Sequence, residues 1–344
     1  MHLNTNLPII VFASLLLVWG CQRHSPAEAQ FDSYLTRLAR VLGDDKPSVP
    51  RHSPPRLPDA AQLVHTLEPV SINLLDWWAF RDCGLALLLS ERNSVLGRVM
   101  PPSRHLDMDA RILRQLAYCK SVTDDEELLA LGQNLSKQKL AQWPQRYWNA
   151  TLAAPELRQF WSPSTAPLVP GKEASYSQSI SALELLADLH DKLYSKHWPN
   201  IQVLEGHYQQ LELYQLGGKL LQSLQVANDY LVIANQLMAR AIDRHALCPL
   251  RHPTPQLQYA RNVMRNYFIG ELQPWLSAIN QRANALLPTY RQLIAVQEPQ
   301  LRTLITPHQH AVENLYNQFL THNRQHVAHW QTLFEQCGAS ATNG

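Results

Sequence analysis

Apolar residues recur three and four positions apart along almost the whole chain, the period of helices that bury one face. Phe31, Tyr34, Leu35, Leu38, Val41 and Leu42 form one such stripe, and Ser25-Pro26-Ala27-Glu28 ahead of it reads as a helix start. A serine N-cap, a proline in the first turn and a glutamate three positions on make a capping box. Residues 43–58, GDDKPSVPRHSPPRLP, interrupt the pattern and predict a stiff, extended connector. The spacing then predicts one helix over Ser71–Arg92. A second capping box, Thr123-Asp124-Asp125-Glu126, opens a helix running to about Trp143. SPSTAPLVPGKEAS, residues 162–175, is the clearest internal break. Helices follow over 176–197 and 201–216, and over 219–245 after a Gly-Gly break. CPLRHPTP interrupts again, ahead of helices over 255–286, 288–303 and 308–336. Glycine is scarce (12 of 344 residues), and no alternating strand-like runs join at Asn-Gly or Asp-Gly turns. The expected fold is all-α: an antiparallel helical bundle in two packed halves, about 59–161 and 175–337, without internal repeats.

The first residues follow a different rule. Leu7 to Trp19 is a mostly apolar run that suits the core of a signal peptide and is too short to span a membrane. It ends in SLLLVWGCQRHS, residues 14–25, where Val18-Trp19-Gly20-Cys21 resembles the lipobox of bacterial lipoproteins. In that motif the cysteine thiol receives a diacylglycerol and becomes the new N-terminus. Two features depart from it: the segment before the run carries only His2 and no Lys or Arg, and Val18 and Trp19 replace the usual leucine and small residue. The expected organisation is a lipoprotein signal peptide over 1–20, a lipidated N-terminus with a short helix and connector over 21–58, and a helical domain over 59–344. Gln22, where aspartate would favour inner-membrane retention, points to the periplasmic face of the outer membrane.

Lipid on Cys21 also resolves an odd count of five cysteines, leaving Cys83, Cys119, Cys248 and Cys337 for disulfides in an oxidising compartment. An antiparallel hairpin of the Ser71–Arg92 helix with the next brings Cys83 to Cys119. Cys248 ends a long helix and Cys337 closes the last one, so their bridge would tie down the C-terminus.

A formal charge of +2 with no Lys/Arg run argues against nucleic acid as a partner. Four groups of residues invite a chemical reading. Asp82 falls within the stripe of Leu75, Trp78, Leu85 and Leu89, as a tuned acid in a pocket or, the preferred reading, a buried ion pair with Arg111 or Arg114. Glu91-Arg92-Asn93-Ser94 reads as a helix-closing network before a catalytic site. His322, His326 and His329 share a face of the last helix, with His308 and His310 upstream. Histidines one turn apart chelate zinc or copper, but no HExxH glutamate accompanies them, and a solvated helix flank is preferred. Trp143, Tyr147, Trp148, Phe160 and Trp161 would stack sugar rings or, as preferred, cover a core edge. Asn149-Ala150-Thr151 matches a glycosylation sequon by pattern only. No G-x-S-x-G elbow, P-loop, dinucleotide-binding turn or CxxC pair is present.

Three stretches carry a wider resemblance: DCGLALLLSERNSVLGRVMPPS (82–103), WNATLAAPELRQFW (148–161), and LCPLRHPTP with NVMRNYFIGELQPWL (247–276). With the lipobox and connector, they resemble a family of uncharacterised predicted lipoproteins of Gram-negative bacteria, defined only as a domain of unknown function. The resemblance implies location and brings no activity, cofactor or catalytic residue. The expectation is a lipid-anchored periplasmic protein that binds or positions another envelope component, a protein or a glycan. The alternatives are an envelope enzyme acting on peptidoglycan or another glycan through Asp82 or Glu91, and a carrier of a small ligand.

Overall fold

The structure, a computed structural model, describes residues 25–338 except 69, 71, 72, 173–175, 250 and 251. Cys21 and the lipobox lie outside the described residues. Helix α1 (Pro26–Leu42) starts as its sequence dictates: Ser25 Oγ accepts from Glu28 N–H, and the Glu28 carboxylate accepts from Ser25 N–H. It stops at Gly43, which takes the left-handed conformation (φ 70°) that closes a helix. Its apolar stripe is buried, and Phe31 stacks on Tyr230 with ring centroids 5.0 Å apart. The connector is extended, as its prolines require, and is strapped to the body. Arg244 Nη1 donates to Asp44 at 3.0 Å, His52 Nδ1 lies 2.8 Å from Asp229, and Arg158 Nη1 donates to the Pro58 carbonyl at 2.7 Å.

The body continues through α2 (Ala60–Leu63), α3 (Leu74–Ala79), α4 (Leu85–Asn93), α5 (Val95–Val99), α6 (Pro102–Val122), α7 (Glu126–Ala150) and α8 (Pro155–Phe160). After the break come α9 (Ser177–Asp188), α10 (Ile201–Tyr214), α11 (Leu216–Asp243), α12 (Pro255–Asn262), α13 (Gln273–Ala295) and α14 (Pro299–Glu335). The single helix expected over Ser71–Arg92 is divided into α3 and α4. Gly84, at φ 78°, turns the chain in the left-handed region, where a side chain would be strained. The turn lets Cys83 face α6 and bridge to Cys119 with Cα atoms 5.2 Å apart.

Three prolines at expected joints between helices do not break the chain. Pro144 lies inside α7, Pro288 inside α13 and Pro307 inside α14, so the boundaries expected near Trp143, 286–288 and 303–308 disappear. Each is flanked by buried residues, such as Tyr147 and Trp148, Leu287 and Tyr290, or Ile305 and His308. Packing of that kind outweighs the roughly 3 kcal/mol of a proline in a helix interior. Ahead of Pro274 the chain finds another solution: Val263–Leu272 widens into π-helical turns between α12 and α13.

One large core unites α1, the ends of α6 and α7, and the helices from α8 to α14. The two halves meet at Trp161, whose ring lies 4.6 Å from Tyr290 and 5.5 Å from His308 by centroids. A smaller core of Phe80, Cys83, Leu85, Leu89, Met108, Ile112, Leu116, Cys119 and Leu135 lies beside it. Helix α6 serves both, turning Leu106, Ala110 and Leu113 to one and Met108, Ile112 and Leu116 to the other. The second bridge, Cys248–Cys337, holds the end of α14 to the segment after α11.

Helices α11 and α14 run parallel. Asn228 Nδ2 donates to the Leu315 carbonyl and Asn235 Nδ2 to that of His322, at 3.0 and 2.9 Å. Both pairs are 87 residues apart, a constant offset that only parallel helices produce.

Candidate functional site

Most residues singled out by the sequence serve the fold. Asp82 is not on a buried face: its side chain is 83% exposed and pairs at 3.1 Å with Arg81. The turn at Gly84 takes it out of the stripe that a continuous helix would have made. Arg111, expected to meet Asp82, instead lies 3.6 Å from Glu91. Around Glu91 the helix-closing network is visible. Ser94 Oγ accepts from Gly97 N–H at 2.9 Å, and Arg92 Nη1 donates to the Gly97 carbonyl at 3.0 Å.

The histidine face of α14 is a packed seam and not a solvated flank. His326 is fully buried, with Nε2 2.6 Å from the Tyr34 hydroxyl and Nδ1 2.8 Å from Asn235 Oδ1. Trp330 Nε1 donates to Tyr34 Oη at 3.0 Å, so the Tyr34 proton goes to His326 Nε2 and the imidazole proton to Nδ1. Burial holds His326 down to about 3, and it is neutral at any ordinary pH. His322 Nδ1 lies 2.9 Å from Asn228 Oδ1, and buried His308 lies 3.0 Å from the Tyr290 hydroxyl. Among the described residues no three His, Cys, Asp or Glu side chains are grouped to hold a metal ion.

The aromatic cluster is interior as well. Tyr147, Trp148, Phe160 and Trp161 are at most 1% exposed and Trp143 is 8% exposed, which leaves no ring face for a sugar. Trp148 Nε1 donates to the Leu63 carbonyl at 2.7 Å, and Asn149 of the sequon pairs with both backbone groups of His65.

The concave site lies elsewhere, along the α6–α7 hairpin. Asp125 caps α7 by accepting from Glu127 and Leu128 N–H, turning the chain back tightly after Val122. Along the hairpin, Leu113, Leu116, Leu128, Leu129 and Leu140 line an apolar groove of about 490 Å³ with Phe80 and Tyr194. Gly132 has no side chain to occupy the space beside Phe80 and Leu116. The Cys83–Cys119 bridge and a 2.5 Å hydrogen bond from Gln115 Nε2 to the Cys83 carbonyl brace the end of the hairpin. Lys120 and Lys137 stand on the rim, both exposed and neither in a salt bridge among the described residues. The arrangement offers apolar surface for a hydrocarbon portion and ammonium groups for negative charge. The hairpin expected from the sequence joined the Ser71–Arg92 helix to α6; neither the α6–α7 groove nor the unfilled space at Gly132 was legible.

The family model described as "Protein of unknown function (DUF3080)" matches residues 31–341. No curated protein and no solved structure matches the chain.

Proposed function

The chain belongs to the DUF3080 family, and for it we propose a lipid-anchored extracytoplasmic binding protein whose ligand seat is the α6–α7 groove. The observation that carries this reading is the groove itself. Its volume of about 490 Å³ falls in the range of small-molecule sites, and its lining is mainly apolar. The ligand is an apolar envelope component carrying negative charge, which Lys120 and Lys137 meet at the rim. The groove supports the small-ligand reading. The glycan-cleaving reading loses its aromatic platform to the core.

The anchor is Cys21, on the periplasmic face of a Gram-negative outer membrane, and the support for it is the lipobox, Gln22 and two disulfides that suit an oxidising compartment. Because α1 is docked into the main core, the proline-rich connector is not a spacer between lipid and body. Only residues 22–24 separate Cys21 from the N-cap Ser25, a reach of at most about 14 Å. The body is therefore held close against its membrane.

Both halves of the proposal are testable. The anionic, aromatic dye 1-anilinonaphthalene-8-sulfonate should bind saturably, and Ala117→Trp, which places a ring in the groove from an exposed position, should weaken it at least about tenfold without lowering Tm. Dye binding that ignores Ala117→Trp would remove the groove as the seat. Metabolic labelling with an alkyne fatty acid should mark the wild type and spare Cys21→Ser. An unlabelled wild type would remove the anchor.

A further inference from the structure

A second cavity, at the other end of α6 from the groove, lies beside a buried cluster of charges. Asp109 is buried and accepts from two cations of α7, Lys139 Nζ at 2.6 Å and Arg146 Nε at 2.8 Å. The three side chains are only 4%, 6% and 11% exposed for Asp109, Lys139 and Arg146. Arg92 of α4 faces the same group, close enough for its charge to act on Asp109 and Arg146. Arg158 of α8 shares a cavity of about 510 Å³ with Arg146, His105, Asn149 and Pro102. Among the described residues Asp109 is the one carboxylate in salt-bridge contact with any of these four cations. Four cations thus stand against one carboxylate in this region, and two of them, Arg146 and Arg158, line the cavity.

Partly buried cations without a counter-charge are unfavourable, because desolvation is offset only by a paired charge. The neighbourhood registers this excess. His105, one turn before Asp109 on α6, has its Nδ1 buried without a protein partner. Burial, together with the guanidiniums of Arg92 and Arg146, holds His105 down to about 4. Arg92 Nε is also buried without a partner. The guanidinium forks suit an oxyanion, and the size of the excess suits a dianion better than a single carboxylate.

We infer that the cavity between α6, α7 and α8 is a phosphate-binding site, in which Arg146 and Arg158 hold the phosphate oxygens and His105 donates a further hydrogen bond. The phosphate is free or is the head of an esterified ligand. The site is separate from the α6–α7 groove, so each proposal stands or fails by itself.

The test is calorimetric titration of the full chain in detergent with inorganic phosphate and with glycerol 3-phosphate, at fixed ionic strength and against a chloride control. Saturable binding of at least one phosphate compound is expected, weakened about tenfold by Arg158→Gln and also by Arg92→Gln. Neither substitution removes a partner of Asp109, so the buried salt bridges stay intact. Tighter binding of glycerol 3-phosphate supports the site with an esterified ligand, and equal binding supports it with free phosphate. In NMR titrations the His105 midpoint should move upward when phosphate is bound, since anion and proton favour each other. Heats no different from chloride, binding indifferent to both substitutions, or an unmoved His105 midpoint would overturn the proposal.

Discussion

At the scale of single residues the most constrained side chain is His326. Its two nitrogens are satisfied only while it is neutral, because Nε2 must accept from Tyr34. The native state therefore binds a proton far less readily than the unfolded chain, whose histidine titrates near 6.5. Stability is then full above that value and lost as pH falls from about 6.5 towards about 3, at about 1.4 kcal/mol per pH unit for such a group. Buried His308, held down to about 4 by burial, adds to the same slope. Denaturant unfolding between pH 7 and pH 4 should show this decline, and a flat profile would contradict the neutral assignment. Tyr34→Phe tests the network directly. It leaves Trp330 Nε1–H and His326 Nε2 without a partner, which should cost about 1–3 kcal/mol of unfolding free energy.

At the scale of elements, glycines of similar appearance do opposite things. Gly217 and Gly218 look like a helix break, yet both belong to the first turn of α11, and the chain actually bends at Gln215, with φ 47°. The pair is small because the end of α8 lies against it. A Cβ on Gly218 would stand 2.0 Å from the Ser162 carbonyl oxygen, and one on Gly217 would stand 2.7 Å from the rings of Phe160 and Trp161. Gly206, in the middle of α10, has nothing within 4 Å of that position. Thermal unfolding should therefore separate them. Gly218→Ala should cost about 1–3 kcal/mol through overpacking, whereas Gly206→Ala should gain about 1 kcal/mol from helix propensity. Equal effects would mean that the α8–α11 contact is looser than the structure shows.

At the scale of the molecule, two bridges close loops of 36 and 89 residues. Cross-links of that span stabilise by about 4 kcal/mol each in the chain-entropy description, by restricting the unfolded chain. Reduction should therefore lower the unfolding free energy by an amount comparable to the stability of a whole domain, read as a fall in the denaturant midpoint. The two bridges act on different parts: Cys83–Cys119 holds the smaller core and the groove, and Cys248–Cys337 ties α14 to the end of α11. Cys83→Ala with Cys119→Ala should thus impair dye binding more than Cys248→Ala with Cys337→Ala. The reverse order would detach the groove from the smaller core.

Local chemistry made much of this architecture readable in advance. The capping box at Ser25, the extended prolines of the connector and the periodic stripes all act within a few residues, so the chain carries them whatever its tertiary context. The disulfide partners were legible because a hairpin and a C-terminal helix bring only certain helix ends together. A stripe, however, says that a face is covered and not what covers it. Hence the histidines of α14 pair with asparagines a heptad apart on α11, a match that exists only once the two helices run parallel. Asp82 leaves its stripe because one left-handed glycine precedes α4. Asp109, unremarkable on α6, gathers Lys139 and Arg146 because the register of the α6–α7 hairpin puts them opposite. Periodicity alone determined that the chain is helical; the groove and the charged cavity arose from packing, where residues distant in sequence share one space.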